Sequence, residues 1–298
     1  MRHVILHGHI FKNAGTTFDW SLSRSFGDRF VDHREDKLMR ERREKHLADF
    51  VSDNSSLLAL SSHHLCYPLP QMEQVTFYTV YFLRHPIERI ASVYAFERRQ
   101  DADTLGAKAA KEKNFAEYVQ WRMQHDVPRT IREYQTSNIA GYHDQPLRDQ
   151  ATADWLQRSS DHMAAIDCVG VVDRYEETMV VLEDRLSRFF PDLDLAFQAQ
   201  NVTRPDDGKG VDERVVDTLE KLGPLAADVL RMNSFDLALY RQANQQLDAA
   251  LASIPDVGAR LDDFRERCRD IPSSGEQTGG RMDKLRERFA NLRSPDPR

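Results

Sequence analysis

The stretch Leu6-His-Gly-His-Ile-Phe-Lys-Asn-Ala-Gly-Thr-Thr-Phe18 constrains this chain more than any other, because an apolar run passes through two glycines straight into a helical pattern. A strand, a glycine-bearing turn and a helix in immediate succession aim backbone N–H groups and the positive end of a helix dipole at one point. That geometry favours a phosphate or a sulfate. Thr16 and Thr17 add hydroxyl donors, and Lys12 adds a full positive charge. The Walker A pattern needs four residues between its glycines and then Gly-Lys-Ser/Thr. Here six residues separate Gly8 from Gly15 and the lysine precedes the second glycine, so an ordinary ATPase or GTPase loop is a poor match. The plain alternative is a strand–helix turn with a solvated Lys12.

Four runs rich in β-branched and aromatic residues read as buried strands: Val4–His7, Leu57–Ser61, Thr76–Leu83 and Cys168–Val172. Helical patterns alternate with them, as in Met179, Leu182, Leu186 and Phe189, and a group of helices runs from about 212 to 270, broken at Gly223-Pro224. Strands alternating with helices predict an α/β fold, a P-loop-like parallel sheet flanked by helices, with a helical C-terminal portion. At 298 residues and 40% hydrophobic content, residues 1–270 suffice for one large domain. Residues 271–280 read as a linker. Met282, Leu285, Phe289 and Leu292 then share one face of a short basic amphipathic tail ending at 298.

A second anion site follows the strongest strand, in Arg84-His-Pro-Ile-Glu-Arg-Ile-Ala-Ser-Val-Tyr94. Pro86 suits the first turn of a helix, which places Arg84 at a strand's carboxyl end, where open α/β sheets bind ligands. Arg84 and Ser92 are predicted to converge on one phosphate, with Glu88 and Arg89 engaged in structural ion pairs. Two anion sites at the ends of neighbouring strands suit a nucleotide charged on both sides of its ribose.

These residues resemble the sulfotransferase family that uses 3′-phosphoadenosine-5′-phosphosulfate (PAPS), particularly the branch with heparan sulfate 2-O-sulfotransferase and related bacterial enzymes. Phe11-Lys-Asn-Ala-Gly-Thr-Thr17 looks like the family's 5′-phosphosulfate loop, with Phe11 at the usual proline. Leu83-Arg-His-Pro-Ile-Glu-Arg-Ile-Ala-Ser92 looks like its 3′-phosphate motif, with His85 at the usual aspartate. Weaker echoes are Gln135–Gly141, Val171–Tyr175, Gln200–Thr203 and Asp236–Tyr240. The resemblance implies PAPS as donor, bound through Lys12, Asn13, Ala14, Gly15, Thr16, Thr17, Arg84 and Ser92. It also implies Lys12 as stabiliser of the leaving phosphate, no metal, and a hydroxyl-bearing acceptor, a sugar or natural product. In Ser61-Ser-His-His-Leu-Cys-Tyr-Pro68, His64 matches the family's catalytic histidine and is the expected general base, with His63 at the position of a glycine.

Cys66 lies too close to His64 on one segment, with no orienting partner, to form a Cys–His nucleophile. Cys66, Cys168 and Cys268 are dispersed and never form a CxxC pair, so they read as reduced, buried thiols. A net charge of −7 gives no general reason to expect nucleic-acid binding. The mixed run 34–46, with six basic and four acidic residues, reads as a solvated helix face, and Arg98, Arg99, Lys108, Lys111 and Lys113 as a mobile solvated loop. No run reaches the roughly 18 apolar residues of a membrane span, so a cytoplasmic chain is expected. Two other classes remain open: a Mg²⁺-dependent P-loop nucleotide kinase or phosphotransferase, and a non-catalytic nucleotide-binding protein on the same scaffold.

Overall fold

Val4, Ile5 and Leu6 are fully buried, which places their strand at the centre of a sheet covered on both faces. The computed structural model describes residues 1–141, 153–198 and 208–272. Five strands, β1 (Arg2–Gly8), β2 (Phe30–His33), β3 (Ala59–Ser62), β4 (Val75–Leu83) and β5 (Cys168–Val171), form one sheet in the order β2-β3-β1-β4-β5. Every pairing is parallel. The chain leaves β1 toward β2 and leaves β4 toward β5, so connections diverge between these two neighbours. The carboxyl ends of β1 and β4 thus flank the sheet's switch point, the usual place for a ligand crevice.

The described helices are α1 (Gly15–Phe26), α2 (Asp36–Asp53), α3 (Pro86–Arg99), α4 (Leu105–Glu112), α5 (Phe115–Arg122), α6 (Tyr134–Ile139) and α7 (Ala153–Ala165). They continue with α8 (Tyr175–Leu186), α9 (Val211–Leu222), α10 (Ala226–Arg231), α11 (Ser234–Ala252) and α12 (Val257–Asp270). The main core joins the sheet to α1, α8, α11 and α12, and reaches from Val4 to Phe264. A second cluster, Ile87, Ile90 and Val93 against Tyr118, Val119, Leu222 and Val229, covers the outer side of α3 with α5, α9 and α10. There Arg122 Nη2 meets Glu97 Oε1 at 2.6 Å, both side chains being buried.

The α/β reading holds, with a helical C-terminal portion as expected. Strand β2 escaped the sequence reading because Phe-Val-Asp-His is only four residues long, too short to establish a period of two. The basic stretch read as a mobile loop is corrected: Arg98 and Arg99 end α3, while Lys108 and Lys111 lie on α4, which Thr104 caps by accepting Ala107 N–H at 3.2 Å. Lys108 and Lys111 pair with Asp103 and Asp101 at 2.6 and 3.7 Å. Phe189 lies beyond the end of α8, and Cys268 is half-buried rather than buried. The tail, the linker from 273 and Gln200–Thr203 lie outside the described residues.

A Cβ on Gly8 would stand 1.9 Å from the ring of Tyr81, which is buried and edge-on to His162 at 5.7 Å. Gly8→Ala is therefore expected to destabilise the fold by about 1–3 kcal/mol through overpacking, read as a lower urea midpoint. A midpoint at the wild-type value would show that Tyr81 moves freely.

Candidate active site

Lys12 (φ 66) and Ala14 (φ 58) both adopt left-handed backbone angles in the turn between β1 and α1. Alternation of left- and right-handed residues tilts successive N–H groups into a concave nest for an anion. Each such non-glycine residue costs about 1–3 kcal/mol and persists only when neighbours fix it. Asn13 supplies one fixture: its Nδ2 donates to Phe82 O and to Gln135 Oε1, both at 2.7 Å. Arg89, 1% exposed, supplies another by donating from Nε to Phe11 O at 3.0 Å and from Nη1 to Thr130 O at 2.8 Å. Beyond the turn, the amides of Gly15 and Thr16 open α1 and have no acceptors within their own helix.

A histidine cluster supports this turn from below. Asp19 Oδ1 accepts from His7 Nδ1 at 2.8 Å and Oδ2 from His9 Nδ1 at 2.9 Å. Burial opposes ionisation of Asp19, yet the charge and hydrogen bond of His7, with those of His9, hold its carboxyl well below the usual range. The ring of His9 lies where a Cβ on Gly15 would be, 2.3 Å away, so only glycine lets the helix start so close to it. His63 Nδ1 donates to His9 O at 2.8 Å, and burial pushes this imidazole down to about 3, so it stays neutral.

The second segment meets the first through one side chain. Gln135, fully buried on α6, accepts at Oε1 from both Asn13 Nδ2 (2.7 Å) and the Arg84 N–H (2.9 Å), and donates from Nε2 to Arg84 O at 3.0 Å. Asp236 fixes α6 in turn, accepting from the amides of Gln135 (3.2 Å) and Thr136 (2.7 Å). Arg84 Nη2 stands 3.6 Å from Glu88 Oε2, an oxygen that also accepts from Arg214 Nε at 2.9 Å. Ser92 is 5% exposed, and its Oγ has no hydrogen-bond partner among the described residues, a buried donor of the kind a bound phosphate oxygen satisfies.

The structure thus places Lys12, Gly15, Thr16, Arg84 and Ser92 around the switch point and turns Asn13 inward as a strut. Thr17 is buried, and its amide donates to Ala14 O at 3.0 Å. Glu88 and Arg89 do not pair with each other: the carboxylate serves Arg84 and Arg214, and the guanidinium serves loop carbonyls. His85, at the first position before α3, makes no side-chain cap; its amide donates to Asp173 Oδ2 at 3.2 Å and its ring packs edge-on to Tyr240 at 5.2 Å. The bridging role of Gln135 and the contribution of Asp19 were missed, although His7-x-His9 at a strand end signals a shared partner.

Lys12 Nζ sits 4.6 Å from the centroid of Phe96. Burial, then Arg84, Arg99 and Arg89, push it down to about 8. His64 follows Ser62, the register partner of Gly8, and its amide donates to Ser62 Oγ at 3.2 Å, so it stands beside the origin of the anion loop. Burial raises the Cys66 thiol to about 11, which keeps it un-ionised and unsuited to nucleophilic attack.

The fold is that of the α/β class, a parallel sheet flanked by helices, with the Lys12 turn and the Arg84–Ser92 segment following its two switch-point strands. The sequence model of the Sulfotransferase family matches residues 1–240, and the chain belongs to that family. An uncharacterized protein of Archaeoglobus fulgidus is 28% identical over 251 residues, covering 81% of this chain and 96% of that protein. Family membership makes the chain a transferase. Among the described residues, no helix is long and apolar enough to cross a membrane.

Replacing Gln135 with Met removes the acceptor for Asn13 and Arg84 and leaves buried polar groups unpaired. The expected cost is about 1–3 kcal/mol, read by chemical denaturation. An unchanged midpoint would mean that the bridge does not hold the two segments.

Proposed function

We propose that this chain transfers a sulfuryl group from PAPS to an acceptor hydroxyl, with Lys12 at the leaving phosphate oxygen and His64 as general base. The observation that carries this reading is the Gln135 bridge, which sets two anion-binding segments at a fixed separation across the switch point. Sulfotransferases generally use PAPS as donor, and the residues present fit a molecule with phosphate on both sides of a ribose. The Lys12–Thr17 turn, through the amides of Gly15 and Thr16 and the hydroxyls of Thr16 and Thr17, faces the 5′-phosphosulfate; Ala14 shapes that turn and Asn13 secures it. Arg84 and Ser92 face the 3′-phosphate. The donor supplies a sulfuryl group already activated on a phosphate oxygen.

In the transfer, the bond from sulfur to that oxygen breaks as a bond from sulfur to the acceptor oxygen forms. Lys12 meets the charge that develops on the departing oxygen, a role in which a half-buried ammonium outperforms a solvated one. His64 takes the acceptor's proton. Its Nδ1 is shielded from solvent, so Nε2 is the nitrogen that receives it. His63 is the poorer base, because burial pushes its imidazole down to about 3. The acceptor is a hydroxyl on a carbohydrate or small molecule, in a cytoplasmic setting. Residues 1–270 act as one domain, a reading supported by the continuous main core.

Lys12→Ala is expected to lower kcat/KM about 10²- to 10³-fold, and His64→Ala to lower kcat about 10²- to 10⁴-fold with nucleotide affinity retained. Wild-type turnover in either variant would overturn the assigned roles. Adenosine 3′,5′-bisphosphate should raise the melting temperature without Mg²⁺ and by more than ATP does; the reverse order would favour a phosphotransferase.

The low Lys12 pKa sets a pH signature. A depressed lysine is charged below its folded value and loses its proton as pH rises through it, so affinity for the bisphosphate is full below about 8 and declines above. Calorimetry above that pH, in buffers of different ionisation enthalpy, should report proton uptake that Lys12→Met abolishes. The same uptake in Lys12→Met would assign the proton elsewhere.

A further inference from the structure

β2 ends on His33, which is 2% exposed and in register with Ser62 of β3. His46, 6% exposed, comes from the second half of α2. Their Nε2 atoms face each other at 3.0 Å. Glu35 Oε2 stands 3.8 Å from His33 Nε2 and 3.6 Å from His46 Nε2. Two imidazole nitrogens and a carboxylate oxygen, the donor set of a zinc-type site, thus converge on one point from a strand end and a helix.

A bare N–H···N hydrogen bond between the rings accounts for this arrangement poorly. It leaves the Glu35 carboxylate, 3.8 Å from the His33 Nε2 and 3.6 Å from the His46 Nε2, outside hydrogen-bond range of both rings. Phe50 closes the other side, edge-on to His33 at 5.0 Å. The backbone is also bent to achieve the convergence. Helix α2 is broken at Arg43 (φ 44, ψ −121), three residues before His46, so the second half and not a straight continuation presents that ring to His33. A non-glycine residue held in left-handed geometry inside a helix marks a place where neighbouring constraints outweigh local preference.

We propose that His33, Glu35 and His46 form a divalent transition-metal site of zinc type, with water as the fourth ligand on the side where Glu35 is exposed. A metal about 2.0–2.1 Å from each nitrogen subtends about 95° across the 3.0 Å gap, and widening that gap by a few tenths of an ångström reaches tetrahedral geometry. The ion fastens the second half of α2, through His46, to the carboxyl end of β2 and to Glu35 at the entry of the helix. His64 follows Ser62 by two residues, so the site borders the catalytic edge without belonging to it, and its role is to order α2.

The test is titration of chelator-stripped full-length protein with Co²⁺ and then with Zn²⁺. One equivalent of Co²⁺ should bind with the visible bands of four-coordinate cobalt, Zn²⁺ should displace it, and the melting temperature should rise on loading. His46→Gln should abolish the bands. Glu35→Gln, which changes only an exposed side chain and so spares the fold, should weaken binding at least about 10- to 100-fold, the loss seen when even an outer partner of a metal ligand is removed. Absence of a four-coordinate spectrum in the wild type overturns the proposal, as does binding at wild-type strength in Glu35→Gln; either result leaves a simple histidine–histidine hydrogen bond.

Discussion

The side-chain amide of Gln135 is the contact on which the site depends. Its oxygen accepts from the Asn13 side chain of one segment and from the Arg84 backbone of the other, while its nitrogen donates to the Arg84 carbonyl. A glutamine amide carries one acceptor and one donor face, and here both are consumed in joining stretches some seventy residues apart in sequence. Being fully buried, the bridge works at low dielectric, where each of its bonds is strong and each omission costly. Asp236 and Glu133 extend this scaffold by holding α6 against the start of α11.

On that frame the protein assembles cations at a cost. Lys12 is pushed down by burial and by three arginines, so its positive charge is disfavoured by its own surroundings. Glu88 offsets part of this by serving both Arg84 and Arg214. On the proposed reading, an anion carrying several charges would relieve the remainder. The left-handed turn at Lys12 and Ala14 is likewise held in place, by the hydrogen bonds of Asn13 and Arg89.

Much of the fold was legible because β1 and β4 are continuous apolar runs, the pattern of strands buried on both faces. The turn between β1 and α1 was legible because Gly8, Gly15 and Lys12 stand at a strand-to-helix junction, and the place of Arg84 because Pro86 marks the following helix start. Strand β2 was hidden by its length, and α4 by a lysine-rich composition that reads as solvent whether or not it is helical. The partners of the site were hidden for a different reason. Gln135, Asp236 and Arg214 act across separations of 51 to 126 residues, and no local periodicity records a contact of that range. The roles of Asn13 and Arg89 depended on whether each side chain turned inward, which spacing alone leaves undetermined.

The most direct measurement is the affinity of the purified chain for adenosine 3′,5′-bisphosphate, compared by calorimetry with adenosine 5′-phosphate and with adenosine 3′-phosphate. If the two segments grip opposite ends of one nucleotide, loss of either phosphate weakens binding by at least about tenfold, the equivalent of 1.4 kcal/mol. Equal affinity for the bisphosphate and a monophosphate would contradict the account, because it would leave one of the segments joined by Gln135 without a ligand group to hold.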